Sequence, residues 1–122
     1  MKDTYQAGVA GEEAAERYLR KTRGMVCLER RFRCRQGEID LIMLEKDTVV
    51  FVEVKTRRSG APGQGLQAVN ATKQRRITQA CQFYLMRRGW LNRAVRFDLV
   101  EIHPEGILHI PNAFQPGGMF YA

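Results

Sequence analysis

The chain has 122 residues, of which 44% are apolar and 27% are charged. This length suits one domain, and the apolar content is high enough for a buried core without disulfides or metal, which argues against disorder. Lys and Arg number 20 against 13 Asp and Glu, a net charge of +7, so a polyanionic partner such as nucleic acid is expected, with a simple solubility charge as the alternative.

The first helix is predicted over residues 4–22, with Thr4 as its N-cap and Gly24 as the residue that ends it. Glu13 is predicted to lie opposite the apolar stripe of this helix and Glu16 outside it, whereas Glu12 lies at its edge. We therefore expect Glu12 to face a cleft. The stripe itself consists of Ala7, Ala14, Ala15, Tyr18 and Leu19.

Three strands are predicted next, at residues 25–33, 38–45 and 48–56, because these segments are rich in β-branched and aromatic residues and are separated by turn residues. The glycine-rich segment 59–65 is predicted to be a mobile loop. These boundaries make the second and third strands a hairpin that turns at residues 46–47.

A second helix is predicted over residues 66–88, with Gly89 ending it. Lys73 falls inside its apolar stripe, so either the helix breaks near residues 70–72 or Lys73 faces a negative group. The stripe consists of Leu66, Val69, Ile77, Ala80, Cys81 and Tyr84.

A final hairpin is predicted from residues 94–103 and 106–111. The order is then helix, three strands, helix, two strands. This order indicates an α/β fold with a mixed central sheet flanked by helices, in which a helical crossover precedes the fourth strand. We expect residues 1–122 to form a single domain.

The cysteines and the lack of long apolar segments favour a cytoplasmic protein. The three cysteines are an odd number without CxxC spacing, which is typical of reduced thiols. No apolar run approaches the length of a membrane span, and no signal peptide is recognised. We therefore expect no membrane association.

Four charged residues are predicted to share one face of the hairpin. If Glu45 faces Thr48, then Asp40 lies opposite Glu53, and the same register puts Glu38 opposite Lys55. A shift of one residue would move Asp40 to the other face.

Opposed carboxylates repel each other, so a compensating charge is expected. Mg²⁺ prefers oxygen ligands, and Asp40 and Glu53 could hold this ion or Mn²⁺. Lys55 could orient a metal-bound water or take its proton, and Glu12 could serve as an additional ligand or base. Glu38 is expected to support this site. An ordinary surface pair between Glu53 and Lys55 on an exposed sheet face is the alternative.

Basic residues beside this constellation are candidates for binding phosphate. Arg57 and Arg58 directly follow the third strand, and Lys73 interrupts an apolar stripe. A solvated run of charge is the alternative for the two arginines, and a lysine that extends to water is the alternative for Lys73.

The chain resembles the YraN-like bacterial family within the PD-(D/E)XK nuclease superfamily, close to archaeal-type Holliday junction resolvases. Ile39 stands where the superfamily name has proline. The matching segments are residues 11–12 with Ala15 and 18–19; 37–42; 50–57; Lys73 with Ile77, Ala80 and 84–85; 95–98; and 110–114.

The resemblance implies a restriction-endonuclease-like fold. It also implies that Asp40 and Glu53 occupy the metal positions, that Lys55 occupies the lysine position, and that Glu12 is the acidic residue of the first helix. Resolvase-like relatives act as homodimers, so a homodimer is one expectation.

Three functions are therefore compared. The first is a Mg²⁺- or Mn²⁺-dependent DNA endonuclease acting on branched or structured DNA, with RNA left open. The second is a nucleic-acid-binding module that keeps the fold but turns over little or no substrate. The third is an assembly protein whose basic face meets another macromolecule.

Overall fold

The computed structural model describes residues 2–57 and 71–114, with side chains described from residue 8 onward. The α/β prediction is confirmed, and the order of elements is the predicted one. Strand bounds differ from the predicted ones by one residue at most. The elements are α1 (Lys2–Arg23), β1 (Val26–Cys34), β2 (Gly37–Glu45), β3 (Thr48–Thr56), α2 (Ala71–Arg88), β4 (Val95–His103) and β5 (Gly106–Ile110).

The strands form one mixed sheet in the order β1-β2-β3-β4-β5. Neighbouring strands run antiparallel except β3 and β4, which are parallel. A parallel pair needs a long crossover, and the segment that contains α2 provides it. The architecture is consistent with a restriction-endonuclease-like fold.

The core has two clusters of buried side chains, one on each face of the sheet. Successive residues of β3 point to opposite faces, so Phe51 packs in the cluster with Ile77 of α2, whereas Val50 and Val52 pack in the cluster with Leu19 of α1. The two helices therefore cover opposite faces. In the described part of the chain, no helix is long and apolar enough to cross a membrane.

Two predictions about α1 are wrong. The helix begins at Lys2, so Thr4 lies inside it and is not its N-cap. Glu16 is buried rather than solvent-facing, because Arg30 of β1 donates to both of its carboxylate oxygens, at 2.7 and 2.8 Å. Helical periodicity alone could not reveal this partner on another element. The predicted end is confirmed, since Gly24 adopts a φ of 68°.

Some predictions fall on residues outside the described ranges. These are the glycine-rich loop over residues 59–65, the start of the second helix at Leu66 and Val69, and the side chain of Arg58. The described helix α2 ends as predicted, and Gly89 follows it with a φ of 69°.

A buried carboxylate joins β4, β5 and the residues that follow. Asp98 is fully buried and accepts two hydrogen bonds from Arg96, at 2.8 and 2.9 Å. It accepts a third from the main-chain amide of Asn112 at 3.0 Å. His109 Nε2 lies 2.7 Å from the same carboxylate. Burial alone would raise the pKa of Asp98, but the bonds from His109 and Arg96 outweigh it and lower that pKa.

Asp98→Asn should lower the free energy of unfolding at pH 7 by roughly 3 kcal/mol, because it removes the buried charge that Arg96 faces. A lowered pKa gives stability that is present above the ordinary value near 4 and is lost as the pH falls through the folded-state value. The difference in free energy of unfolding between the wild type and Asp98→Asn should therefore become smaller at acidic pH. Urea unfolding from neutral to acidic pH measures it, with Glu105→Gln in the β4–β5 turn as control. If the difference in free energy of unfolding between wild type and Asp98→Asn stays constant with pH, Asp98 is not ionised in the folded protein.

Candidate active site

Strands β2 and β3 pair in the predicted register and then part. Their ladder runs from Glu45↔Thr48 to Leu41↔Val52 and ends there. Asp40 and Glu53 are the next residues on the two strands, and Asp40 Oδ2 accepts a hydrogen bond from the Val54 amide at 2.8 Å. Where the ladder stops, the Asp40 carboxylate therefore accepts the hydrogen bond of a main-chain amide of β3.

A cavity of about 520 Å³ opens beside this point, between the parting strands and α2. All four residues predicted to share one hairpin face line this cavity, together with cations from α2. The lining residues are Gly37, Glu38, Asp40, Glu53, Val54, Lys55, Thr72, Lys73, Arg76 and Ile77.

Two lysines face Glu53, which is only 8% exposed. Lys73 Nζ lies 2.8 Å from Glu53 Oε2, and Lys55 Nζ lies 3.9 Å from the same oxygen. Lys73 belongs to the first turn of the described α2 helix and faces a negative group, as one of the two sequence interpretations predicted. An apolar stripe interrupted by a lysine was the signal for this contact.

Among the described residues, no cation forms an ion pair with Asp40. Burial, followed by the adjacent Glu53 carboxylate, raises the pKa of Asp40 to about 8, although the Val54 amide bond acts in the opposite direction. Two carboxylates held together in a partly buried cleft favour a bound divalent cation, because oxygen ligands suit Mg²⁺. The donor set at Asp40 and Glu53 therefore fits the ion predicted from the sequence.

The pKa values of Lys55 and Lys73 are shifted in opposite directions. Burial and the adjacent ammonium of Lys73 lower the pKa of Lys55. Burial would also lower the pKa of Lys73, but the hydrogen bond and charge of Glu53, together with smaller contributions from Lys55 and Asp40, raise that pKa. Lys55 is thus the lysine better able to give up a proton, and Lys73 is the one that keeps its charge.

A close contact fixes the distance between α2 and β2. A Cβ atom on Gly37 would lie 3.3 Å from the main-chain oxygen of Arg76, tighter than most Cβ contacts in proteins. Glycine at this position lets the helix approach the strand, and Lys73 lies one turn from Arg76 on that helix. The sequence places Gly37 in the matching segment 37–42 but gives no sign of this contact with the helix.

Glu12 lies near the carboxylates but has a partner of its own. Arg31, which has a φ of 50°, donates from Nε to Glu12 at 2.7 Å. The charge of Glu12 is a minor contribution to the raised pKa of Asp40, which indicates that the two are near each other. Within residues 2–57 and 71–114, however, no three His, Cys, Asp or Glu side chains are gathered closely enough to hold one metal ion.

Two further predicted residues have contacts of their own. Glu38 lines the cavity and accepts a hydrogen bond from Arg33 Nε at 3.1 Å, and the β2–β3 ladder ends before Glu38 could pair with Lys55. Arg57 does not line the cavity. Its main-chain amide donates to Ile102, and its buried Nε has no hydrogen-bond partner among the described residues.

Comparison with known proteins identifies the family. The model of uncharacterised protein family UPF0102 matches residues 11–102, which include every candidate carboxylate and lysine. The chain belongs to the UPF0102 family. This is the YraN-like, PD-(D/E)XK nuclease-type family that the motifs resemble, so the resemblance is confirmed.

Relatives of UPF0102 align over most of their length. A UPF0102 protein of Geobacter metallireducens is 46% identical over 112 residues, covering 88% of this chain and 91% of the relative. One from Stutzerimonas stutzeri is 40% identical, covering 94% and 99%. Among solved structures, SSO0001 aligns with a TM-score of 0.43 and 18% identity over 89% of this chain and 50% of that one.

Asp40→Asn should raise the free energy of unfolding in EDTA by roughly 1–3 kcal/mol at pH 8, because it removes a buried charge beside Glu53. The pKa of Asp40 is raised from near 4 to about 8, so the wild type should lose stability as the pH rises between these values. Asp40→Asn should lose less stability than the wild type over the same pH range. Thermal unfolding across this range measures the effect, with Asp47→Asn in the β2–β3 turn as control. A less stable Asp40→Asn protein at pH 8 would contradict the repulsion.

Proposed function

We propose that the protein is a Mg²⁺- or Mn²⁺-dependent endonuclease that hydrolyses phosphodiester bonds of DNA. The observation that carries the proposal is the side-by-side arrangement of Asp40 and Glu53, with Lys55 beside them, in a cavity that two further cations line. Acidic ligands with cations beside them in one cavity suit a reaction at a phosphate group.

Asp40 and Glu53 are the residues that would hold the ion. When bound, such an ion polarises the phosphodiester and lowers the pKa of a bound water. Lys55 would take the proton of the attacking water, because burial favours the neutral form of its amine. Lys73 and Arg76 line the same cavity and would bind the phosphate groups that flank the cleaved bond.

DNA is the proposed partner, because the net charge of +7 supports binding to a polyanion. The cavity contacts proposed here involve phosphates rather than base edges. Such contacts position a nucleic acid without reading its sequence. Selection by DNA geometry, as in branched or flapped substrates, is therefore a better expectation than selection by sequence.

A binding module with little turnover is the second candidate. It is favoured by the engagement of the acidic groups with internal cations, since Glu53 bonds to Lys73 and Glu12 bonds to Arg31. In such a protein these pairs would persist, and DNA would bind without cleavage.

A cleavage assay separates the two candidates. With Mg²⁺ or Mn²⁺, the wild type should cut at least one of linear duplex, single-stranded, flapped and four-way DNA. EDTA and Asp40→Asn should each reduce the rate by about 100-fold or more, as expected for loss of a metal ligand. Asp47→Asn, in the exposed turn of the same hairpin, should keep full activity. DNA binding with no product under any condition would support the binding module instead.

Lys55→Met should separate proton transfer from metal binding. The variant should lose about 100-fold or more in cleavage rate, in the range of general base catalysis, while it still binds Mn²⁺. Single-turnover cleavage and a Mn²⁺ titration of the same sample measure the two effects, and Lys46→Met in the β2–β3 turn is the control. Near wild-type cleavage by Lys55→Met would exclude Lys55 as the base.

A further inference from the structure

The ammonium of Lys73 forms an ion pair with Glu53, which is one of the two carboxylates that the proposed ion needs. Lys73 Nζ lies 2.8 Å from Glu53 Oε2, closer than Lys55 Nζ at 3.9 Å. The Glu53 side chain is 10% exposed, whereas that of Lys73 is 35% exposed. A buried carboxylate is thus neutralised by a cation that reaches it from the open side of the cavity.

A divalent cation and this ammonium would compete for Glu53. Both are positive, and both would lie within a few ångströms of one carboxylate, where like charges repel strongly. The ion can therefore bind well only after Lys73 moves away. The metal-free protein, in turn, needs Lys73, because without it Glu53 would be buried beside Asp40 with less compensation.

We propose that Lys73 is an internal substitute for the divalent ion, neutralising Glu53 until an ion binds and then transferring to a phosphate of the DNA. This inference rests on the proposed nuclease function and adds an order of events to it. Lys73 is a positioning residue for the ion and a binding residue for the substrate.

The structure favours Lys73 over Lys55 for this role. Lys55 extends from β3 within the sheet, two residues from Glu53, whereas Lys73 extends from α2 across the cavity. Gly37 packs closely against the main chain of Arg76, one turn from Lys73, so a movement of the flexible Lys73 side chain rather than of the helix would free Glu53. Its new position would face the phosphates that enter the same cavity.

The exchange couples the two ligands. An ion that displaces Lys73 provides a cation for the phosphate, and a phosphate that attracts Lys73 frees Glu53 for the ion. By linkage, DNA should then raise the affinity for the ion by the same factor by which the ion raises the affinity for DNA.

The test compares Mn²⁺ binding by the full chain in the absence of DNA, with free Mn²⁺ followed by electron paramagnetic resonance. Lys73→Met should bind Mn²⁺ about fivefold tighter than wild type or more, equivalent to about 1 kcal/mol. Arg75→Met removes a charge from an exposed position of the same helix and should change the affinity by less than about twofold, as expected for a screened surface charge. Lys73→Gln serves if Lys73→Met fails to fold.

A second measurement uses the unfolding temperature. In EDTA, Lys73→Met should melt below the wild type, and Mn²⁺ should raise its melting temperature more than it raises that of the wild type. DNA cleavage by Lys73→Met at saturating Mn²⁺ should fall, since a phosphate contact is lost.

The outcomes distinguish this inference from the proposed function. If wild type cleaves DNA with Mn²⁺ but Lys73→Met binds the ion no tighter, the substitution role is overturned and the nuclease stands. If neither protein binds Mn²⁺ at millimolar concentration and no DNA is cut, both are overturned. Tighter binding in Lys73→Met, but not in Arg75→Met, supports the role.

Discussion

Two carboxylates, Asp40 and Glu53, lie next to each other where strands β2 and β3 separate, and this juxtaposition determines what surrounds them. The register of the hairpin creates it, and the Val54 amide holds Asp40 there at 2.8 Å. Like charges in a half-buried cleft destabilise the fold unless cations compensate them, and Lys55 and Lys73 supply such charge to Glu53. A divalent cation between the two residues would compensate both carboxylates.

The rest of the fold serves to bring cations to this pair. The crossover from β3 to β4 places α2 over the sheet face that carries Glu53, and Gly37 allows the helix to pack close to β2. Lys73 then reaches Glu53, while Lys55 reaches it from within the sheet. The pKa of Lys55 is lowered, which suits proton transfer, whereas the pKa of Lys73 is raised, which keeps its amine charged.

The hairpin register could be predicted from the sequence because a two-residue turn fixes which residues face each other, and Asp40 and Glu53 followed from it. Lys73 was visible as a charge in an apolar stripe. Partners that come from distant elements were not visible, which is why Glu16 was expected in solvent although Arg30 covers it. Periodicity describes one element at a time, so the ion pair of Glu12 with Arg31 and the close approach at Gly37 required the tertiary structure.

The central claim is that Asp40 and Glu53 form a divalent cation site, and a crystal structure with Mn²⁺ tests it most directly. Anomalous scattering at the manganese edge locates the ion independently of any activity. The account predicts a peak within about 2–2.5 Å of oxygens from both carboxylates, with Lys73 moved away from Glu53. A structure at saturating Mn²⁺ without a peak between these two residues, and with Lys73 still bonded to Glu53, would contradict it.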